Sequence, residues 1–320
     1  MPELPEVETV RLGLAPVLTG ARVTNIDVYD QRSLKRHAAG VQDFLSTLTG
    51  RRILGVVRRG KFIWMPLEPA SGELTETGEL TPGAKPLALL GHLGMSGQML
   101  LRTPGFEPDK LTRVVIHVTE ANGEATEFRF IDQRLFGGLQ LDVLVPTIDG
   151  KSGGYSAGIG DGQWWQNLIP QSASHISRDP LDAHFDQAAV LKKLANKNTG
   201  IKRALLDQGL VSGIGNIYAD ESLWRAKLHY DQQASSVSGP KAKELLQHVR
   251  EILADAVKVG GTSFDEQYKN VNGESGYFEI SLNAYGRTGT PCSRCGTPIK
   301  REQWANRGSH FCPKCQKKRG

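Results

Sequence analysis

Two groups of residues have the types and spacing that chemistry needs, one near each end of the chain. Cys292-x-x-Cys295 and Cys312-x-x-Cys315 are the only cysteines, and 16 residues separate the pairs. Each CxxC turn can present two thiolates to one ion, and a hairpin between the pairs closes a tetrahedral site of four sulfurs. Disulfides or a redox pair are the other use of such cysteines. A reducing cell interior and the lack of a thioredoxin-like βαβ pattern argue against them. The expected cofactor is one Zn2+, structural only, because four protein ligands leave no open position for water.

The other group is "MPELPEVETV". With Met1 removed, the chain begins with a proline amine followed at once by Glu3. An α-amino group titrates about two units below a lysine, and a helix N-terminus lowers it further. A secondary amine attacking an aldehyde-level carbon yields an iminium with no N–H proton to lose, so it stays cationic and serves as an electron sink. Glu3 adjoins this nucleophile and Glu6 lies one turn on, close enough for acid–base work. Taken alone, the acidic first turn has a plainer use in complementing the helix dipole.

The elements that must position these groups follow from periodicity. Residues 2–19 read as a helix on Val7, Val10, Leu14 and Leu18, bent or ended by Pro16. From Ala21 to about Leu144, β-branched and aromatic runs broken by Gly or Asp predict an antiparallel sandwich or barrel. Residues 68–86 read as a surface insertion, and the Gly-rich 147–163 as a flexible connector. Helical text follows: "DQAAVLKKLAN", "TGIKRALLDQ", the turn-rich "GLVSGIGN", "IYADESLWRAKL", and a helix from Ser238 and Pro240 to about Val259. Two helices joined by a Gly-containing double turn suit DNA docking, and equally an ordinary helical hairpin. The cysteine region starts at Gly286, and Arg307 sits on the expected hairpin tip "NRGSHF". The fold class is α+β, divided as 1–145, 146–185, 186–285 and 286–320.

The 320 residues carry a net charge of +5, which allows a polyanion partner without requiring one. There is no apolar stretch of about 18 residues and no basic start with an apolar run, so a soluble intracellular protein is expected.

"PELPEVETV", "RRGKF", "HLGMSG", "IDQRLFG", "GIGNIYADE" and the terminal "NRGSHF" cysteine hairpin, in that order, resemble the bacterial formamidopyrimidine-DNA glycosylase family over nearly the whole chain. The resemblance implies a bifunctional glycosylase and abasic-site lyase that excises oxidised purines such as 8-oxoguanine and formamidopyrimidines from double-stranded DNA. It implies an N-terminal β-sandwich, a helix–two-turn–helix and a zinc hairpin, in a monomer of the bacterial cytoplasm, at the nucleoid. Pro2 would form a Schiff base at C1′, Glu3 would act as general acid–base, and Glu6 would help to hold the sugar. Lys61 would contact the lesion's phosphates and assist proton transfer. Met95, Arg134 and Phe136 would fill the gap left by the everted base. Asn216, Lys202, Lys197 and Arg307 would bind the DNA backbone, Arg307 also serving the second, δ, elimination. Residues 260–278 match a loop that covers the flipped base. Where the family has a DNA-contacting His this chain has Leu111, with Arg113 as the candidate replacement. A sister glycosylase for oxidised pyrimidines, the endonuclease VIII type, shares Pro2, Glu3 and the zinc hairpin. It usually has Gly where Leu4 stands and lacks this wedge. A non-catalytic DNA-binding zinc protein of the same fold is the rival from another class.

Overall fold

In a computed structural model that describes residues 2–156, 162–261 and 282–318, helix α1 runs Leu4–Leu18. Val7, Val10, Leu14 and Leu18 are all buried along one of its faces. Pro16 stands inside the helix and does not end it. It is exposed, and the carbonyl it cannot bond belongs to Leu12, itself 48% exposed, so water can take that acceptor. The chain forms two compact units. One holds Pro2 and Glu6–His175; the other holds Glu3–Pro5 with 176–261 and 282–318.

The first unit is a sandwich of two antiparallel sheets. Strands β1 (Arg22–Val28), β6 (Thr112–Thr119), β7 (Ala125–Asp132) and β5 (Gly97–Arg102) lie in that order in one. The other runs β2 (Val57–Arg59), β3 (Phe62–Pro66), β4 (Leu87–His92), β8 (Gly138–Pro146) and β9 (Leu168–Pro170). Val23, Ile26, Met65, Leu89, Ile116, Phe128 and Phe130 fill the core that they share with α1. Two helical elements depart from the strand-only reading of 21–144, the first a 3-10 turn at Gln31–Leu34. The second, Gly40–Leu48, is helix α2, with Phe44 and Leu48 buried one turn apart. Residues 147–156 also depart from the connector reading. Thr147 N donates to Asn167 O at 3.0 Å and Gly153 N to Gln166 O at 2.6 Å, so this stretch is packed on the sandwich.

The second unit contains α3 (Gln187–Ala195), α4 (Ile201–Leu205), α5 (Asn216–Arg225) and α6 (Gly239–Lys258). Ile201, Leu205, Tyr218, Leu223, Leu245, Val249 and Leu253 form its core, to which Leu4 also belongs. Ser238 precedes α6 but makes no side-chain cap; Pro240 in the first turn starts the helix instead. Strands β10 (Lys300–Trp304) and β11 (Arg307–Phe311) form the hairpin between the cysteine pairs. The expected capping loop at 260–278 lies almost wholly outside the described residues.

Candidate active site and metal centre

In the second unit the Glu3 carboxylate sits on the N-terminus of α5. It accepts from Gly215 N at 2.5 Å, Ile217 N at 2.8 Å and Tyr218 N at 3.4 Å. A helix N-terminus offers donors and no acceptor, together with the positive end of the dipole, so it suits a carboxylate anion. Glycine is required for the approach, because a Cβ on Gly215 would lie 2.3 Å from Glu3 Cδ.

Asn216, the first residue of α5, donates from Nδ2 to Gly308 O at 3.1 Å, while its Oδ1 is buried without a partner. Lys202 Nζ reaches the same carbonyl at 3.3 Å, Ser309 Oγ at 2.6 Å and Asp220 Oδ1 at 2.6 Å. Both side chains therefore grip the hairpin beside Arg307, which is exposed at the start of β11. Lys202 itself has 0% side-chain exposure. In this structure the ammonium lies inside, on Asp220 and the hairpin. Burial pulls its pKa below the ordinary lysine value, and the Asp220 charge opposes that pull. Lys197 is on the surface but paired with Asp207 at 2.5 Å.

In the first unit Pro2 and Glu6 are buried. Lys61 occupies the two-residue turn joining β2 to β3, and its charge is felt by His92 at the end of β4. His92 was not singled out from sequence, although it opens "HLGMSG". Burial, then the charges of Arg36 and Lys61, push it down to about 4, so its ring is neutral at physiological pH. With Arg36, Phe62, Gln140 and Ser172 it lines a cavity of about 470 Å³.

Met95, Arg134 and Phe136 are brought together on this unit. The Arg134 guanidinium lies 4.9 Å from the centre of the Phe136 ring, and Met95 and Phe136 are 38% and 46% exposed. Exposed large apolar side chains on held loops fit a surface that meets a partner better than a core. What holds them is Asp132, fully buried, which sequence reading also passed over. Its carboxylate accepts from Ser96 Oγ at 2.6 Å, Arg134 N at 3.0 Å and Gly137 N at 2.8 Å. One carboxylate thus ties the Met95 loop to the Arg134–Phe136 loop. Arg113 Nε donates to the Asp132 carbonyl at 2.8 Å, and its Nη1 lies 3.7 Å from Asp30. Its guanidinium thus supports the loop that carries Arg134 and Phe136.

The four cysteine sulfurs lie within 4.8 Å of one another, with Cys295 at 3.5 Å from both Cys312 and Cys315. A tetrahedral zinc with bonds of about 2.3 Å needs sulfurs about 3.8 Å apart, so the donor set fits. Gly296 N bonds Cys292 O at 2.8 Å in the first turn, and Gln316 accepts from Cys312 N in the second. Trp224 of α5, Ile299 and Ala284 pack round the thiols and anchor the hairpin to the helices.

Residues 1–139 match the model of the formamidopyrimidine-DNA glycosylase N-terminal domain, 176–267 that of its H2TH domain, and 289–318 that of the zinc finger found in FPG and IleRS. The formamidopyrimidine-DNA glycosylase of Leifsonia xyli subsp. xyli is 51% identical over 99% of this chain and 100% of that protein. Its namesake in Streptomyces avermitilis is 47% identical over 99% and 98%. Among solved structures, MutM in complex with DNA containing carbocyclic 8-oxo-G is 30% identical, with a TM-score of 0.77 over 99% of this chain and 100% of that one. The complex of Lactococcus lactis Fpg with abasic-site DNA is 29% identical, with a TM-score of 0.76 over the same shares. No helix among the described residues is long and apolar enough to cross a membrane.

Proposed function

The chain belongs to the formamidopyrimidine-DNA glycosylase family and is a DNA glycosylase and abasic-site lyase of base excision repair; from this premise we propose that Pro2 is its nucleophile and oxidised purines in duplex DNA its substrates. The deprotonated Pro2 nitrogen attacks C1′ of the everted nucleotide, and the damaged base leaves with the bonding electrons and takes up a proton. Ring opening gives the iminium between Pro2 and C1′. Loss of a C2′ proton then expels the 3′ phosphate, and a second elimination expels the 5′ phosphate. Every step uses amine and carboxylate chemistry, while the zinc when bound supports the hairpin.

The observation that carries this reading is the Glu3 carboxylate, fixed by three N–H groups at the N-terminus of α5 and adjacent in sequence to Pro2. From there it shuttles protons to and from the sugar, with Lys61 as the cation that meets phosphate and Glu6 as a holder of the sugar. Asn216 and Arg307 meet the backbone of the damaged strand, and Arg307 assists the second elimination. Met95, Arg134 and Phe136 fill the stack, offsetting the cost of eversion. One chain supplies all of these residues, so a monomer suffices, and the bacterial relatives support action on the chromosome in the cytoplasm. The division of labour follows the same lines: a catalytic sandwich in 1–145, a connecting stretch in 146–185, DNA-binding helices in 186–285 and the zinc hairpin in 286–320. Borohydride trapping over a panel of duplexes tests the reading. Covalent capture should be strong with 8-oxoguanine and formamidopyrimidine and weak with oxidised pyrimidines; capture on oxidised pyrimidines alone would assign the endonuclease VIII type of activity instead.

A further inference from the structure

The segment 147–156 lies between the matched family models, which end at 139 and resume at 176. Its composition suggests a connector, yet it is built into the sandwich next to the turn that carries Lys61. Tyr155 and Arg58 of β2 exchange both backbone hydrogen bonds, at 2.8 and 3.0 Å, so the segment covers the open edge of the sheet. Two glycines make the approach feasible. A Cβ on Gly153 would lie 1.9 Å from Leu168 O, and one on Gly154 2.5 Å from Arg58 O and 2.7 Å from the Trp64 ring.

Beneath this cover lies a buried charge cluster. Glu8 accepts from Arg11 at 2.8 Å and from Arg58 Nε at 2.7 Å, and none of the three is more than 3% exposed. Two guanidiniums thus share one carboxylate. The Tyr155 ring lies 5.0 Å from the Arg11 guanidinium and offers it a π face. The far side of Arg58 reaches the Lys61 turn, donating from Nη1 to Gly60 O at 3.2 Å. Arg59, in the same strand, donates to Ser152 O at 3.4 Å.

We propose that Tyr155 and its glycine-paired segment are a positioning device for Lys61, holding the β2–β3 turn through Arg58 and the Glu8–Arg11 pair. Tyr155 is a positioning residue and touches no substrate. The inference rests on the reading of Lys61 as a phosphate-meeting cation, and the test separates the two.

The experiment is a double-mutant cycle on the full chain, read as single-turnover excision of 8-oxoguanine from duplex DNA, with thermal midpoints recorded alongside. Tyr155→Phe, which keeps the ring, should retain wild-type excision. Tyr155→Ala should lower the excision rate about tenfold, since displacements on the order of 1 Å at a reacting centre have effects of this size or larger. In a Lys61→Ala background the same substitution should lower it no further. A general loss of stability would instead reduce the active fraction equally in both backgrounds. Equal, additive losses, or no loss on Tyr155→Ala while Lys61→Ala is impaired, would overturn the positioning role and leave the Lys61 reading intact. Full activity of Lys61→Ala would overturn that reading, and the positioning role with it. Should Tyr155→Ala not fold, Tyr155→Leu, which keeps apolar cover and removes the π face, enters the same cycle and is decided by the same results.

Discussion

Glu3 Cδ lies so close to Gly215 that a single methyl group on the glycine would stand 2.3 Å from it. The carboxylate next to the proposed nucleophile is therefore placed by a helix more than two hundred residues away in sequence, through Gly215 N and Ile217 N.

Gly215→Ala should accordingly mimic loss of Glu3. The added Cβ pushes the carboxylate off the α5 N–H groups, and base excision should fall by about a hundredfold, as misplacement of a reacting group does. The fold should persist, because the glycine's conformation is one that alanine adopts without a positive φ. Single-turnover excision, with circular dichroism as the control, checks this. Unimpaired excision would detach Glu3 from the chemistry.

Lys202 and Arg307 should separate cleanly in salt titrations of DNA binding. Lys202→Met removes one partner of a buried pair with Asp220 and should destabilise the second unit by about 3–5 kcal/mol. Its plot of log affinity against log salt should keep the wild-type slope. Arg307→Ala should leave the melting temperature nearly unchanged and reduce that slope by about 0.9, the signature of one lost phosphate contact. A reduced slope for Lys202→Met would return that residue to the DNA surface.

Arg134 should read the base opposite the lesion. A guanidinium has donors and no acceptor, which suits the O2 and N3 of an orphaned cytosine better than the donor on the pairing edge of adenine. At roughly 1–3 kcal/mol for a good base-edge contact, the wild type should favour lesion:C over lesion:A by about five- to a hundredfold. Arg134→Ala should flatten this ratio and affect cleavage of a preformed abasic site less. A mutant ratio equal to that of the wild type would dismiss the wedge assignment.

His92 should make the fold acid-sensitive. Its folded pKa of about 4 lies below the ordinary 6.5, chiefly through burial. Between these values the unfolded chain binds a proton that the folded chain does not. The stability linked to His92 is therefore fully present above pH 6.5 and lost as the pH falls towards 4. Urea melts at pH 7 and pH 5 should show a smaller loss for His92→Gln than for the wild type; equal losses would contradict the assignment.

How far the sequence reaches depends on how local the signal is. The two CxxC turns are legible because each pair of ligands lies within a few residues. Helix α2 was not, since nine residues with Phe44 and Leu48 a turn apart offer too short a period among strands. Lys202 reads as a surface cation until Asp220 and Ser309 fold round it. Asp132 reads as one acid in "IDQRLFG", although it ties the Met95 loop to the Arg134–Phe136 loop. The stretch 147–156 misleads through composition. Glycines that suggest flexibility serve, at 153 and 154, to let two backbones approach.

The central claim is that the Pro2 nitrogen becomes bonded to the lesion's sugar. Protein purified without Met1 is incubated with an 8-oxoguanine:C duplex and borohydride, and the trapped complex is digested and sequenced by mass spectrometry. The account predicts one cross-linked peptide, beginning at Pro2 and carrying the reduced sugar on its α-nitrogen. A cross-link on Lys61 or another lysine with Pro2 unmodified, or full activity from protein whose mass still includes Met1, would contradict it.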